Sequence, residues 1–324
     1  MDRRPLSACF RLFCLVAFVA LAALGATSST LAGDIFEIDT LDEGVWLFRP
    51  QAGSFTHTNS VVFERSDGLL VVESQPSPDA ARDLLAAIAE QSDLPVRYLV
   101  LSHGHTESAG GASAFPEETL VIASRATQDA LGDVNADLGG ELRARAGDPA
   151  DWNEPPRRLA TLVVPSLIEL ADEKNPVEIA PIVRGHFPGQ LLVRWNAGSS
   201  YYAGPLAFAD RNPYADPVHS DLTGWLAALN TFSTNRPEKI VPQYGKTLDV
   251  GQLRKLRDGL AWIRGEVEFA FVEQTPPDEI VTLVLESEKF PRYFDASASP
   301  QLVRSVIERA VAESLEQRKK RSNF

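Results

Sequence analysis

Two of the five histidines in the chain, His103 and His105, stand one residue apart, with only Gly104 between them. They follow directly on the largely apolar run 96–101, which reads as a buried strand. A loop leaving such a strand lets both rings turn toward one point, and neutral imidazole is the usual nitrogen ligand of zinc. The pair alone is a weak sign, because a metal needs three or four such groups. Glu107 adds a carboxylate two residues on, and Gly110-Gly111, running into Ala-Ser-Ala-Phe115, marks a close approach of loop to helix. His219 heads a helix that Ser220 or Asp221 would cap, so it reads as an ordinary helix-start residue. Asp210, Asp216 and Asp221 crowd one loop and read as acidic surface, with a carboxylate offered to a metal as the other reading. Trp225 and Phe232 read as core positions of the helix that follows.

The elements that must position these residues begin as short β-like runs. Residues 43–48, 59–64 and 68–73 are rich in Val, Leu and aromatics, and Ser66-Asp67-Gly68 between the last two predicts a hairpin. Residues 76–91 have the spacing of an amphipathic helix, with Ala80, Leu84, Leu85 and Ile88 on one face. Beyond strand 96–101, a helix is expected to open over 109–115, a strand over 119–122, and mostly helix over 125–145. The stretch 147–158, with Pro149, Pro155 and Pro156, reads as loop. Strands are expected at 160–164, 168–170, 177–183, 191–195, 200–203 and 239–241. Helices are expected at 222–232, 253–272, 278–287 and 300–317. Strands then helices, twice over, with a helical end, predict an α/β sandwich and not a doubly wound parallel sheet.

With 324 residues, 44% of them hydrophobic, the chain can bury a sizeable core. Its net charge of −13 argues against a phosphate-backbone partner, and the short run Arg318-Lys319-Lys320-Arg321 reads as solvated helix end. No nucleic-acid partner is expected. Arg3, Arg4 and Arg11 precede the apolar run 12–26, and Thr30-Leu31-Ala32 offers small residues for cleavage. Residues 1–32 therefore read as a signal peptide, with an uncleaved anchor as the other reading, and the mature protein as periplasmic or secreted, off the membrane. Both cysteines, Cys9 and Cys14, fall inside that segment, so the mature chain is expected to have no disulfide, thiolate ligand or cysteine nucleophile.

Four separated motifs carry a resemblance. Residues 96–111, Val-Arg-Tyr-Leu-Val-Leu-Ser-His-Gly-His-Thr-Glu-Ser-Ala-Gly-Gly, resemble the strand, loop and helix of the metallo-β-lactamase superfamily, whose pattern is His-x-His-x-Asp-His followed by Gly-Gly. Gly185-His186-Phe-Pro-Gly189 resembles that family's Gly-His turn, which supplies a third histidine. Tyr202-Ala-Gly-Pro-Leu-Ala-Phe208 is similar to its Ala-Gly-Asp strand end, and Ile240-Val-Pro-Gln-Tyr-Gly245 to its Val-Pro-Gly-His-Gly turn. The resemblance covers about residues 35–250 in order, and it implies a four-layer αββα sandwich. Residues 33–250 would form that domain, with 251–324 a helical extension packed on it. In the helical end, Trp262-Ile-Arg and Phe290-Pro-Arg-Tyr resemble periplasmic quinoprotein-relay zinc hydrolases.

The resemblance implies metal ligands at His103, His105 and His186. The family's second-metal positions read Glu107, Pro205, Tyr244 and Ser108, of which only Glu107 keeps ligand chemistry. The expectation is a degenerate second site and one zinc ion, with no other cofactor. A three-histidine site leaves room for an acidified water that Glu107 would orient or deprotonate, hydrolysing an ester, amide or thioester. The alternative is a catalytically inactive descendant that binds or assembles. Mononuclear iron oxygenase chemistry is weaker, because the aspartate it uses aligns with Pro205. His57, within Ser54-Phe-Thr-His-Thr-Asn59, falls where the family carries a hairpin over the metal; substrate contact or replacement of a lost ligand is open to it, and an exposed loop position is the plainer reading. Neither the small-molecule substrate nor the oligomeric state is legible.

Overall fold

The computed structural model describes residues 35–51, 58–146, 153–209, 211–294 and 299–322. The proposed signal 1–32, His57 and Asp210 lie outside them. Seven strands form the first sheet in chain order: β1 (Phe36–Asp42), β2 (Val45–Pro50), β3 (Ser60–Arg65), β4 (Gly68–Val72), β5 (Val96–Val100), β6 (Leu120–Ser124) and β7 (Leu162–Val164). β1 to β4 pair antiparallel, and β4 to β7 pair parallel. The expected hairpin is there, with Arg65 opposite Gly68. The second sheet comprises β8 (Ile168–Leu170), β9 (Val177–Ile182), β10 (Gln190–Trp195), β11 (Ser200–Gly204) and β12 (Lys239–Pro242), in the order β12-β11-β10-β9-β8.

The two sheets face each other across an apolar core. Leu47, Val61, Phe63, Leu70 and Val100 of the first pack with Ile179, Leu191, Val193, Tyr202 and Val241 of the second. Each fully buried aliphatic side chain there contributes roughly 1.5–3 kcal/mol against leaving it in water. The outer face of the first sheet is covered by α1 (Pro78–Ala89) through Ala81, Leu84, Ala87 and Ile88. Ser77 caps that helix by accepting from the Ala80 amide, and Pro78 occupies its first turn. Helices α5 (Leu222–Thr234), α6 (Val250–Val272), α7 (Pro277–Leu285) and α8 (Pro300–Ser322) cover the second sheet. They share one core with Tyr201 and Ile240, so the helical end packs on the sandwich. The architecture is therefore four layers, helix-sheet-sheet-helix. Among the described residues no helix is long and apolar enough to cross a membrane.

Two expected helices differ. In place of one helix over 109–115 the chain makes a single turn, α2 (Thr106–Ala109), and a separate 3-10 turn at Ala112–Ala114. The helix expected over 125–145 is split into α3 (Arg125–Gly132) and α4 (Gly140–Ala146). Asp133 and Asp137 cause the break, their carboxylates accepting from the Asn135 and Gly139 amides in tight turns that compete with helix.

Candidate metal centre

The parallel strands β4 and β5 end at the same edge of the first sheet as β11 and β12 end in the second. The edges are stitched together there: the Leu191 amide donates to the Ser102 carbonyl at 2.7 Å, and Asn59 Nδ2 donates to the Pro242 and Gly245 carbonyls at 2.9 and 2.8 Å. His103 and His105 leave the end of β5 into this junction. Gly104 between them has no room for a side chain, since a Cβ would sit 2.9 Å from Phe187 Cζ. His186 enters from the loop between β9 and β10.

The structure brings His103, His105, Glu107 and His186 into one cluster whose donor atoms all lie within 4.8 Å of one another, each residue at most 1% exposed. His105 Nδ1 lies 3.1 Å from His186 Nε2 and 3.4 Å from Glu107 Oε1, which is 3.0 Å from His103 Nε2. Neighbouring ligands on a tetrahedral zinc ion are about 3.4 Å apart, given metal–nitrogen bonds of about 2.0–2.1 Å. Partners on the far sides of the rings fix which nitrogens carry protons. His186 Nδ1 faces the Tyr214 carbonyl at 3.1 Å, which only accepts, so Nε2 turns a lone pair inward. His103 Nδ1 meets Ser102 Oγ at 2.9 Å, and with that hydroxyl accepting from the ring Nε2 is the lone-pair nitrogen that faces the cluster. Such outer partners orient metal ligands. The residues present fit a metal ion, and Glu107 Oε2, buried with no hydrogen-bond partner among the described residues, is the kind of orphaned acceptor a cation satisfies.

Electrostatics favour the neutral, ligating form at two of the three histidines. Burial, then the field of His105, holds His103 well below the ordinary histidine range; burial, then His105 and His103, brings His186 down to about 3. Burial pushes His105 the same way, but the Glu107 carboxylate beside it prevails and its pKa rises. Burial raises Glu107, and its contact with His105 prevails to hold it below the usual carboxylate range. The apolar walls are Phe187, Phe208 and Trp225, whose rings lie 4.9 Å from His105 and 6.4 and 5.5 Å from His186, respectively. Trp225 and Phe232 are core residues, as expected.

Around the cluster the structure places residues that sequence reasoning passed over. Asp216, read as surface acid, is 4% exposed, with Oδ2 3.7 Å from His105 Nε2. His219, read as a mere helix-start residue, puts Nδ1 3.2 Å from His105 Nε2 and 3.1 Å from Asp216 Oδ1; Asp221 does the capping. Glu73, at the end of the apolar strand β4, is fully buried and accepts from the Ser108 hydroxyl, with the Ser102 and Tyr202 hydroxyls close by. A carboxylate closing an all-apolar strand was the one signal available. Glu141 Oε2 is buried, without a hydrogen-bond partner among the described residues, 3.9 Å from His186 Nε2. Of the remaining second-metal positions, Ser108 bonds Glu73, Pro205 follows β11, and the Tyr244 ring is buried under two arginines, Arg145 and Arg211.

The family model described as the metallo-beta-lactamase superfamily matches residues 53–244, more than half of the chain. The chain belongs to the metallo-β-lactamase superfamily. It is 22% identical over 261 residues to a linear primary-alkylsulfatase of Pseudomonas sp., covering 69% of this chain and 49% of that protein. The chain thus spans about half the length of that curated relative. Among solved structures, a stereoselective inverting sec-alkylsulfatase from Pseudomonas sp. superposes with TM-score 0.63 at 16% identity, over 85% of this chain and 50% of that one. A metallo-beta-lactamase from Pontibacter korlensis superposes with TM-score 0.53 at 16% identity, over 69% of this chain and 99% of that one. At these identities the structures attest the shared fold. The chain is a hydrolase-family member with a histidine-rich group suited to a metal ion.

Proposed function

We propose that this chain is a metal-dependent hydrolase that holds one zinc ion through His103, His105 and His186 and cleaves an ester- or thioester-type bond. The observation that carries the reading is the convergence of His103 Nε2, His105 Nδ1 and His186 Nε2 on one buried point, beside an ionised carboxylate. A bound zinc ion supplies Lewis acidity and lowers the pKa of a water toward ~7. The chain's own groups do the rest. Ser102 and the Tyr214 carbonyl hold two rings in the donating tautomer. Glu107 takes up the proton at Oε2, and Phe187, Phe208 and Trp225 exclude bulk water. The second metal site is read as lost, since Pro205 has no donor and the Tyr244 phenol, raised well above its ordinary pKa by burial, stays neutral. The helical end supports kinship with quinoprotein-relay zinc hydrolases, and the charged, apolar start supports export to the periplasm or medium.

One observation favours a second reading, a binding or assembly protein without turnover. Glu107 Oε1 lies as near His103 and His105 as a fourth ligand would, and zinc sites closed by four protein ligands are structural. Glu107→Gln separates the two. In the hydrolase it abolishes turnover with zinc retained; in the closed site it loosens zinc. A zinc-loaded protein that cleaves nothing in a broad panel of esters and thioesters would overturn the hydrolase reading.

A further inference from the structure

Arg145 and Arg211 both lie against the ring of Tyr244, their guanidinium carbons 4.2 and 4.7 Å from its centroid. Tyr244 is 2% exposed, and its hydroxyl has no hydrogen-bond partner among the described residues. The Arg145 side chain is 6% exposed and turns Nε and Nη2 toward Glu141 Oε1. Through Glu141, whose other oxygen stands 3.9 Å from His186 Nε2, this arginine is one carboxylate away from the histidine cluster. Arg211 is half-buried and forms no ion pair with a carboxylate among the described residues. Burial, then the charge of Arg145, lowers its pKa from the ordinary arginine value. Two guanidinium groups against one ring, with Glu141 pairing only Arg145, leave one cation without a counter-charge among the described residues, and a partly desolvated cation of that kind recruits an anion.

We propose that Arg145, Arg211 and the Tyr244 hydroxyl form an oxyanion subsite beside the histidine cluster, so that the ligand of this site carries a sulfate, phosphate or carboxylate group. The guanidinium fork matches such groups in charge and in planar donor geometry, which an ammonium does not. Glu141 holds Arg145 in place, leaving Arg211 as the cation with no carboxylate partner among the described residues. The assembly sits where Tyr244 replaces a second-metal ligand, so guanidinium charge stands in for that of a second ion. This inference names the substrate class of the site proposed above and rests on that reading for the word substrate; anion binding itself can be tested without turnover.

The experiment is titration calorimetry of the whole purified protein with sodium sulfate, phosphate and acetate at constant ionic strength, against chloride, with zinc and again in chelator. Saturable binding of at least one oxyanion, one per chain, is expected in both states, and the tightest of the three identifies the group. Arg211→Gln is expected to weaken it at least about tenfold, the scale of a lost charge-assisted contact. Arg211→Lys, which keeps charge without the fork, should recover part of it. If Arg211→Gln fails to fold, Arg211→Lys alone decides, with a several-fold loss expected and unchanged affinity overturning the subsite. Binding no tighter than chloride, or binding that needs zinc and ignores Arg211, also overturns it. Arg211-dependent binding in a protein that cleaves no ester would support the subsite while the hydrolase reading fails.

Discussion

Glu73→Gln tests the buried carboxyl beneath the cluster. Burial raises its pKa from 4.5 to about 7, against the opposing pull of the nearby Ser102, Ser108 and Tyr202 hydroxyls. In the unfolded chain the group ionises near its ordinary value; in the folded chain it keeps its proton until about pH 7. Between those limits the folded state binds more protons, so stability is fully present below the unfolded pKa and is lost as pH rises through the folded one. The slope is about 1.4 kcal/mol per pH unit, and across the window between 4.5 and about 7 the loss is roughly 3 kcal/mol. Glutamine mimics the neutral carboxyl, donating and accepting among the same hydroxyls. The left-handed backbone at this position, φ 75°, strains both residues equally and cancels. Urea denaturation of the metal-free protein, held in chelator, at about pH 5 and about pH 8 is the assay. The variant should gain roughly 2.5 kcal/mol on wild type between the two, since part of the loss already falls below about pH 5. A stability difference that is the same at both pH values refutes the reasoning, because a pH-independent change reports packing and not a proton.

Three further outcomes are expected. Gly111→Ala would place its Cβ 2.1 Å from the Ser74 carbonyl oxygen and 2.8 Å from that of Ser77, backbone atoms that cannot yield without opening the corner between β4 and α1, so urea midpoints should show a loss of about 3 kcal/mol or more. Elemental analysis after dialysis should find at most one tightly held transition-metal ion per chain; His186→Ala should remove most of it, and His219→Ala, removing the ring that meets His105 at its outer nitrogen and Asp216 beside it, should lower affinity by about tenfold. Mass spectrometry of the exported protein should show loss of about the first 32 residues; a chain retaining Arg4 would contradict export by a cleaved signal.

The sequence by itself determined what local pattern and short spacing encode. The hairpin at Ser66-Asp67, the cap at Ser77, the strand that delivers His103 and His105, and the apolar faces of α1 and α5 all follow from residues within a few positions of one another. Ordered motifs carried the family, and with it His186, which no short spacing links to His105. Tertiary structure decided the rest. Polar loop residues such as Asp216 and His219 look the same in sequence whether they face water or a metal site; here the fold brings His219 across 114 positions to His105 and buries Asp216 beside it. Arg145 and Glu141 have the i,i+4 spacing common to exposed helix ion pairs, yet the packing of α4 buries them against Tyr244 and His186. The physical reason is common to all of these. The chemistry of a charged group is set by desolvation and by partners from distant segments, and neither is encoded in its own neighbours along the chain.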